Sequence, residues 1–295
     1  MFSRSSDFRG TGTALVTPMK KDGSIDEEAL RRLVDFQEEN GVDMLLPCGS
    51  TGEAATLARE DHLKVISIVI DQAKRAKVVA GAGSNCTREA IDLTRNACDM
   101  GADAILSISP YYVKPTQEGI FQHYRAIAEA SSKPIIVYNV PGRTGSNITA
   151  QTMLRMAEVD NILGVKEASG IMEQVQEILA GRPKDFVVLS GNDDMTFDMM
   201  CCGADGVFSV ASNPLPKMVS DMVNHMKKGE RDPARDLNQK LMPIFQSLFV
   251  ESNPIPVKYV MAKLGYGEDV LRLPLTPLSA AGRAKLDPVL AQYGL

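Results

Sequence analysis

Eight short apolar runs recur along the chain at intervals close to one strand-plus-helix unit: Gly12 to Thr17, Asp43 to Pro47, Lys77 to Gly81, Ala104 to Ser109, Pro134 to Val140, Ile162 to Lys166, Phe186 to Ser190 and Gly206 to Val210. Runs this short and this continuous suit strands buried on both faces. Between them the apolar positions change to helical spacing. Leu30, Leu33, Val34 and Gln37 follow an N-cap candidate, Asp26, and stop at Gly41; Ile120, Phe121, Tyr124, Ile127 and Ala128 repeat the pattern.

Strands alternating with helices predict a parallel sheet, and about eight units in roughly 220 residues match an eight-stranded (β/α)8 TIM barrel of the α/β class. A doubly wound open sheet is the competing topology. Against it, Gly81-Ala82-Gly83-Ser84-Asn85-Cys86 begins like a dinucleotide fingerprint but lacks its third glycine. After Val210 the strand signal stops, and Pro214 to Leu295 reads as helices broken at Pro233, Pro254, Pro256, Pro274 and Pro277. The expected organisation is a catalytic barrel, 1–224, followed by a C-terminal helical region, 225–295.

Composition narrows the classes. At 295 residues and 44% hydrophobic the chain can build a large core, and a net charge of -5 with interleaved signs offers no nucleic-acid face. No apolar stretch approaches the ~20 residues of a membrane span, and Met1 to Gly10 lacks the apolar centre of a secretory leader, so a cytoplasmic protein is expected. The five cysteines have neither CxxC spacing nor clustered histidines and read as small core residues.

Candidate chemistry centres on Lys166, which ends the run Ile162-Leu163-Gly164-Val165-Lys166. Burial there would lower its pKa and supply the neutral amine that attacks a carbonyl to form a Schiff base. The plainer alternatives are a lysine that reaches water or pairs with Glu167. In a barrel the chemistry lies past the C-terminal strand ends, and polar groups gather there. Gly49-Ser50-Thr51-Gly52-Glu53 follows the second run, with hydroxyls and backbone able to hold a carboxylate. Ser109-Pro110-Tyr111-Tyr112 follows the fourth, and Tyr138 to Gly145 closes the fifth, bringing a phenol for proton transfer and the Arg143 guanidinium. Asp193 and Asp194, after the seventh run, read as caps for the next helix rather than as metal ligands.

These segments, with Gly164-Val165-Lys166-Glu167, Asn253 to Lys258 and Leu271 to Pro277, resemble the pyruvate-dependent class I aldolase superfamily, which includes N-acetylneuraminate lyase, and most closely its dihydrodipicolinate synthase family. The resemblance implies a lyase that joins pyruvate to L-aspartate-4-semialdehyde through an imine on Lys166, in lysine and diaminopimelate biosynthesis, with no metal or cofactor. It implies Tyr138 as proton donor and acceptor, Ser50 and Tyr112 as relay, Thr51 and Arg143 as carboxylate ligands, and Gly191 and Phe208 as pocket backbone. Tyr112 would serve a neighbouring subunit's site, in a homotetramer built as a dimer of dimers. Ala55, Arg59, His62, Asn85, Glu89 and Tyr111 would match a lysine-inhibition cleft, with Arg59 where sensitive enzymes often carry histidine. Ser50 replaces the family's usual threonine, and Phe208 its usual isoleucine or valine. Other members, a sialic acid lyase or a 2-keto-3-deoxy-sugar acid aldolase, would share Lys166 and Tyr138; a non-catalytic keto-acid-binding barrel or a pyridoxal phosphate enzyme are alternatives of other classes.

Overall fold

A computed structural model describes residues 5–295; the first four, part of the Met1 to Gly10 stretch read for a leader, lie outside the described residues. Eight strands close into one parallel barrel in sequence order: β1 Gly10–Ala14, β2 Met44–Leu46, β3 Lys77–Gly81, β4 Ala104–Ile108, β5 Ile135–Asn139, β6 Ile162–Glu167, β7 Val187–Ser190 and β8 Gly206–Ser209, with β8 pairing back to β1. Alternation along each strand sorts the side chains into two cores. Met44, Leu46, Val79, Leu106, Ile136, Val187, Leu189 and Phe208 fill the barrel. Leu45, Val78, Ile105, Val137, Val165, Val188 and Val207 face the helices. Both sets are buried, which is why these strands read as unbroken apolar runs.

The first strand lies earlier than its apolar run suggests, at Gly10–Ala14 rather than Gly12 to Thr17. Its glycines carry no hydrophobic signal, yet closure depends on them. Gly12 pairs with Phe208, and a Cβ at Gly12 would stand 2.4 Å from the Phe208 ring. Two pairs earlier, a Cβ on Gly206 would fall 2.0 Å from the Gly10 carbonyl oxygen. The missing side chain at Gly12 makes room for the large ring on β8.

Outside the barrel lie α1 Glu27–Glu39, α2 Arg59–Gln72, α3 Thr87–Asp99, α4 Gln117–Ala130, α5 Pro141–Thr144, α6 Ala150–Met156, α7 Met172–Gly181, α8 Thr196–Cys201 and α9 Pro216–Lys227. Asp26 caps α1 through Oδ1, which accepts from Ala29 N–H at 3.0 Å; Leu30, Leu33, Val34 and Gln37 are buried and Gly41 follows at φ 83°. The five apolar positions of α4 are likewise buried.

The chain ends in α10 Arg231–Ser247, α11 Ile255–Lys263 and α12 Ala280–Leu290. Pro233 and Pro256 do not break helices: both sit in first turns, where a missing N–H costs nothing. Pro254 is the N-cap of α11, while Pro274 and Pro277 lie in the non-helical segment before α12. The expectation of five core cysteines is also corrected. Cys48 and Cys98 are buried, but Cys86, at the start of α3, and Cys201 and Cys202, at the end of α8, are exposed, because these positions lie at helix ends on the outer layer. Among the described residues no helix is long and apolar enough to cross a membrane.

Candidate active site

Tyr138 on β5 and Lys166 on β6 are paired across the ladder, and both point into the barrel mouth. The Lys166 Nζ lies 4.4 Å from the centroid of the Tyr138 ring and 5.8 Å from that of Phe208. Only 6% of Lys166 is exposed, and among the described residues its amine makes no hydrogen bond. Burial brings its pKa down to about 8; Asp193 opposes the shift and the Arg143 charge adds to it. At pH 7 that raises the neutral fraction from roughly one molecule in three thousand to about one in ten. Neither plainer alternative fits. Glu167 turns to the opposite face, where it accepts from Ser169 N–H at 2.7 Å and Asn139 Nδ2 at 3.1 Å.

Tyr138 is buried too. Desolvation pushes its phenol above the ordinary value, while the Arg143 guanidinium and the Ser50 hydroxyl pull the other way. The phenol is therefore protonated at neutral pH and able to give a proton.

Two loops cover this pair. Past β2, Gly52 packs closely, so that a Cβ would meet Cys48 N and the Leu15 carbonyl at 3.1 Å. The tight turn buries Thr51, whose Oγ1 accepts from Asn253 Nδ2 at 3.0 Å, and leaves Ser50 half-buried. Past β5 the chain enters α5 directly, placing Arg143 one turn beyond Tyr138; its Nη2 donates to the Asn253 carbonyl at 3.0 Å. Asn253 thus joins both residues expected to hold carboxylates. Gly191, after β7, leaves the space beside Lys166 Cε open, since a Cβ there would lie 3.2 Å from that carbon; its N–H donates to the Glu167 carbonyl at 2.8 Å. Phe208 is fully buried, its ring presented to the amine.

Tyr112 is not brought to this group within the chain. It is 86% exposed, at φ 72°, with its N–H held by the Thr144 carbonyl at 3.1 Å. Of the six residues matched to an inhibition cleft, Ala55 and Arg59 are exposed, and Glu89 accepts from the Ser84 hydroxyl. Asn85 Nδ2 donates to the half-buried Tyr111 carbonyl at 3.1 Å, and His62 is buried, its Nε2 donating to the Gly81 carbonyl at 2.7 Å. Burial holds the His62 imidazole below its ordinary pKa.

The helix-cap reading of Asp193 is corrected. It is buried, and Oδ2 accepts from the N–H groups of Val210 and Ala211 at 2.9 and 3.0 Å, so it braces the loop leaving β8. Those unpaired amides past a strand end attract the carboxylate more than the short helix beside it. Three groups escape sequence reasoning: Asp193 as a buried carboxylate whose charge acts on the amine, Asn253 as the bridge between loops, and the Asn139 partnership with Glu167. For Asp193 and Asn139 the strand-end rule is signal enough; for Asn253 the resembling segment Asn253 to Lys258 marks the position, but no spacing ties it to Thr51 and Arg143.

A closed parallel barrel with a desolvated lysine at the end of its sixth strand and a tyrosine beside it is the architecture of an imine-forming aldolase. The Dihydrodipicolinate synthetase family model matches residues 7–293, and the chain belongs to that family. It is 53% identical over 291 residues to 4-hydroxy-tetrahydrodipicolinate synthase of Chloroherpeton thalassium, covering 98% of this chain and 96% of that one. The solved dihydrodipicolinate synthase of Aquifex aeolicus is 43% identical with a TM-score of 0.95, covering 98% of this chain and 99% of its own. The chloride-inhibited enzyme of Acinetobacter baumannii, solved in complex with pyruvate, is 44% identical with a TM-score of 0.95, covering 97% and 99%.

Proposed function

We propose that this chain condenses pyruvate with L-aspartate-4-semialdehyde to 4-hydroxy-tetrahydrodipicolinate, a step of lysine and diaminopimelate biosynthesis. The observation that carries the reading is the Lys166 amine, buried, without a hydrogen-bonding partner among the described residues and facing the Tyr138 ring. The neutral amine attacks the keto carbon of pyruvate and water leaves as the imine forms. Loss of a methyl proton gives the enamine, whose carbon attacks the semialdehyde. The semialdehyde's own amine then displaces Lys166 and closes the ring.

Tyr138 donates and accepts protons at the imine, with Ser50 and a neighbouring subunit's Tyr112 relaying them toward solvent. Thr51 holds the pyruvate carboxylate and Arg143 that of the semialdehyde, while the backbones of Gly191 and Phe208 line the pocket. Pyruvate in the Acinetobacter structure supports the first substrate, and the exposed Tyr112 ring supports the subunit exchange. The same reading takes the assembly as a dimer of dimers in the cytoplasm, the barrel as 1–224 and the helical region as 225–295. It takes Ala55, Arg59, His62, Asn85, Glu89 and Tyr111 as a lysine-binding cleft.

A coupled assay offering pyruvate with aspartate semialdehyde beside a panel of sugar-acid aldehydes tests it. Turnover should favour the semialdehyde, and Arg143→Ala should lose about 10²-fold or more with it while still forming the pyruvate imine. Preferred turnover of a sugar-acid partner, or an unaffected Arg143→Ala enzyme, would overturn the assignment.

A further inference from the structure

Directly behind the reacting pair lies a second pair that nothing in the mechanism consumes. Tyr138 and Lys166 are opposite each other in the β5–β6 ladder, and the next rung is Asn139 opposite Glu167. Successive side chains alternate in direction, so the first rung faces the barrel mouth and the second faces the helical layer. There Asn139 and Glu167 are 0% and 1% exposed. Asn139 Nδ2 donates to both Glu167 oxygens, at 3.2 and 3.1 Å. Each partner is tied to a further element. Asn139 Oδ1 accepts from Ile148 N–H at 3.1 Å and its Nδ2 also donates to Asn147 Oδ1 at 2.8 Å; Glu167 accepts from Ser169 N–H at 2.7 Å and Gln174 Nε2 at 3.3 Å.

The ladder below needs this. Between Ile135 and Ile136 the β5–β6 pairing shifts, Ile135 standing opposite Ile162 but Ile136 opposite Gly164, so that Leu163 is skipped. A bulge of that kind re-aims every residue after it, and a slip of one residue would turn Lys166 out of the barrel. We propose that Asn139 and Glu167 are positioning residues: their buried cross-strand bond locks the register above the bulge and so sets the approach of the Lys166 amine to the Tyr138 phenol. Glu167 makes no ion pair among the described residues, where its carboxylate accepts from Asn139, Ser169 and Gln174. Its work is on the geometry of its neighbours. The inference rests on the imine reading above.

The test compares wild type, Glu167→Gln, and Glu167→Gln with Asn139→Asp, which restores a donor opposite an acceptor. Gln174→Leu serves as a milder variant that keeps the Asn139–Glu167 bond and removes only the outer ties Gln174 makes to Glu167 and Asn147. Imine formation at Lys166 is followed by borohydride quench and peptide mass, beside kcat, KM for pyruvate and the denaturation midpoint. Glu167→Gln keeps one acceptor oxygen but turns the other acceptor position into a donor, against Asn139 Nδ2 on one side and Ser169 N–H or Gln174 Nε2 on the other; kcat and the imine rate should fall about tenfold or more while KM for pyruvate moves by less than about threefold. The double variant should recover part of the loss, since Asn139→Asp gives up the donor to Asn147 Oδ1, and Gln174→Leu should lose about two- to fivefold. If wild type forms the Lys166 imine but Glu167→Gln and Gln174→Leu do so at the same rate, the clamp is overturned and the function stands. It is equally overturned if activity falls only with the folded fraction, or if the double variant is no better than the single. Absence of an imine in wild type would overturn the functional reading itself.

Discussion

The chain buries two lysines and surrounds them differently. Lys166 at the end of β6 and Lys258 in α11 are 6% and 3% exposed, and desolvation lowers the pKa of both. Lys258 donates to Glu53 Oε1 at 2.7 Å and to the Thr17 carbonyl at 2.9 Å, while the other Glu53 oxygen accepts from Arg272 N–H at 3.1 Å. That ion pair fastens the C-terminal helices to the loop carrying Thr51. Lys166 faces two aromatic rings and has no acceptor within hydrogen-bond reach among the described residues. Burial desolvates an amine in either place, but only the one without partners keeps its lone pair available for chemistry.

Removing each lysine should therefore break different things. Lys166→Met should lower turnover by about four orders of magnitude or more, with no loss of folded stability. Lys258→Met leaves Glu53 buried without its cation and should cost about 3–5 kcal/mol in chemical denaturation; adding Glu53→Leu should return much of it. Tyr138→Phe keeps a ring over Lys166 without the phenol. It should still form the pyruvate imine while turnover falls about 10²–10⁴-fold, a split that steady-state rates and imine capture resolve together.

The smallest effect concerns stability and pH. The folded pKa of Lys166, about 8, lies below its ordinary 10.5, so the folded chain releases that proton before the unfolded chain does. Unfolding free energy from this group rises with pH between those values, and its cost is present in full below about 8. Lys166→Met should accordingly be more stable than wild type by about 1–2 kcal/mol at pH 7, less than the whole shift because Asp193 loses a nearby charge, and the gap should shrink as pH rises past 8.

Much of this was legible in the residues alone, for reasons of geometry. Parallel strands buried on both faces leave apolar runs, so seven of the eight elements fall close to where the pattern sets them, and every strand-end residue could be placed at one rim. Strand β1 was displaced because Gly10 and Gly12 contribute space, not hydrophobicity. Tyr112 could be placed after β4, but its outward direction depends on a positive φ that no periodicity encodes. Asn253 and Lys258 meet Thr51 and Glu53 across more than two hundred residues, and only the folded chain reveals those partners. Asp193 was misread because a carboxylate before a helix has two uses, and the open amides past β8 were out of sight.

The rate of pyruvate imine formation at Lys166, sampled by rapid borohydride quench and peptide mass across pH 6 to 11, tests the central claim most directly. A desolvated amine predicts a rise of about tenfold per pH unit that levels off near pH 8. A rate still climbing beyond pH 10, or an adduct on any other residue, would contradict it.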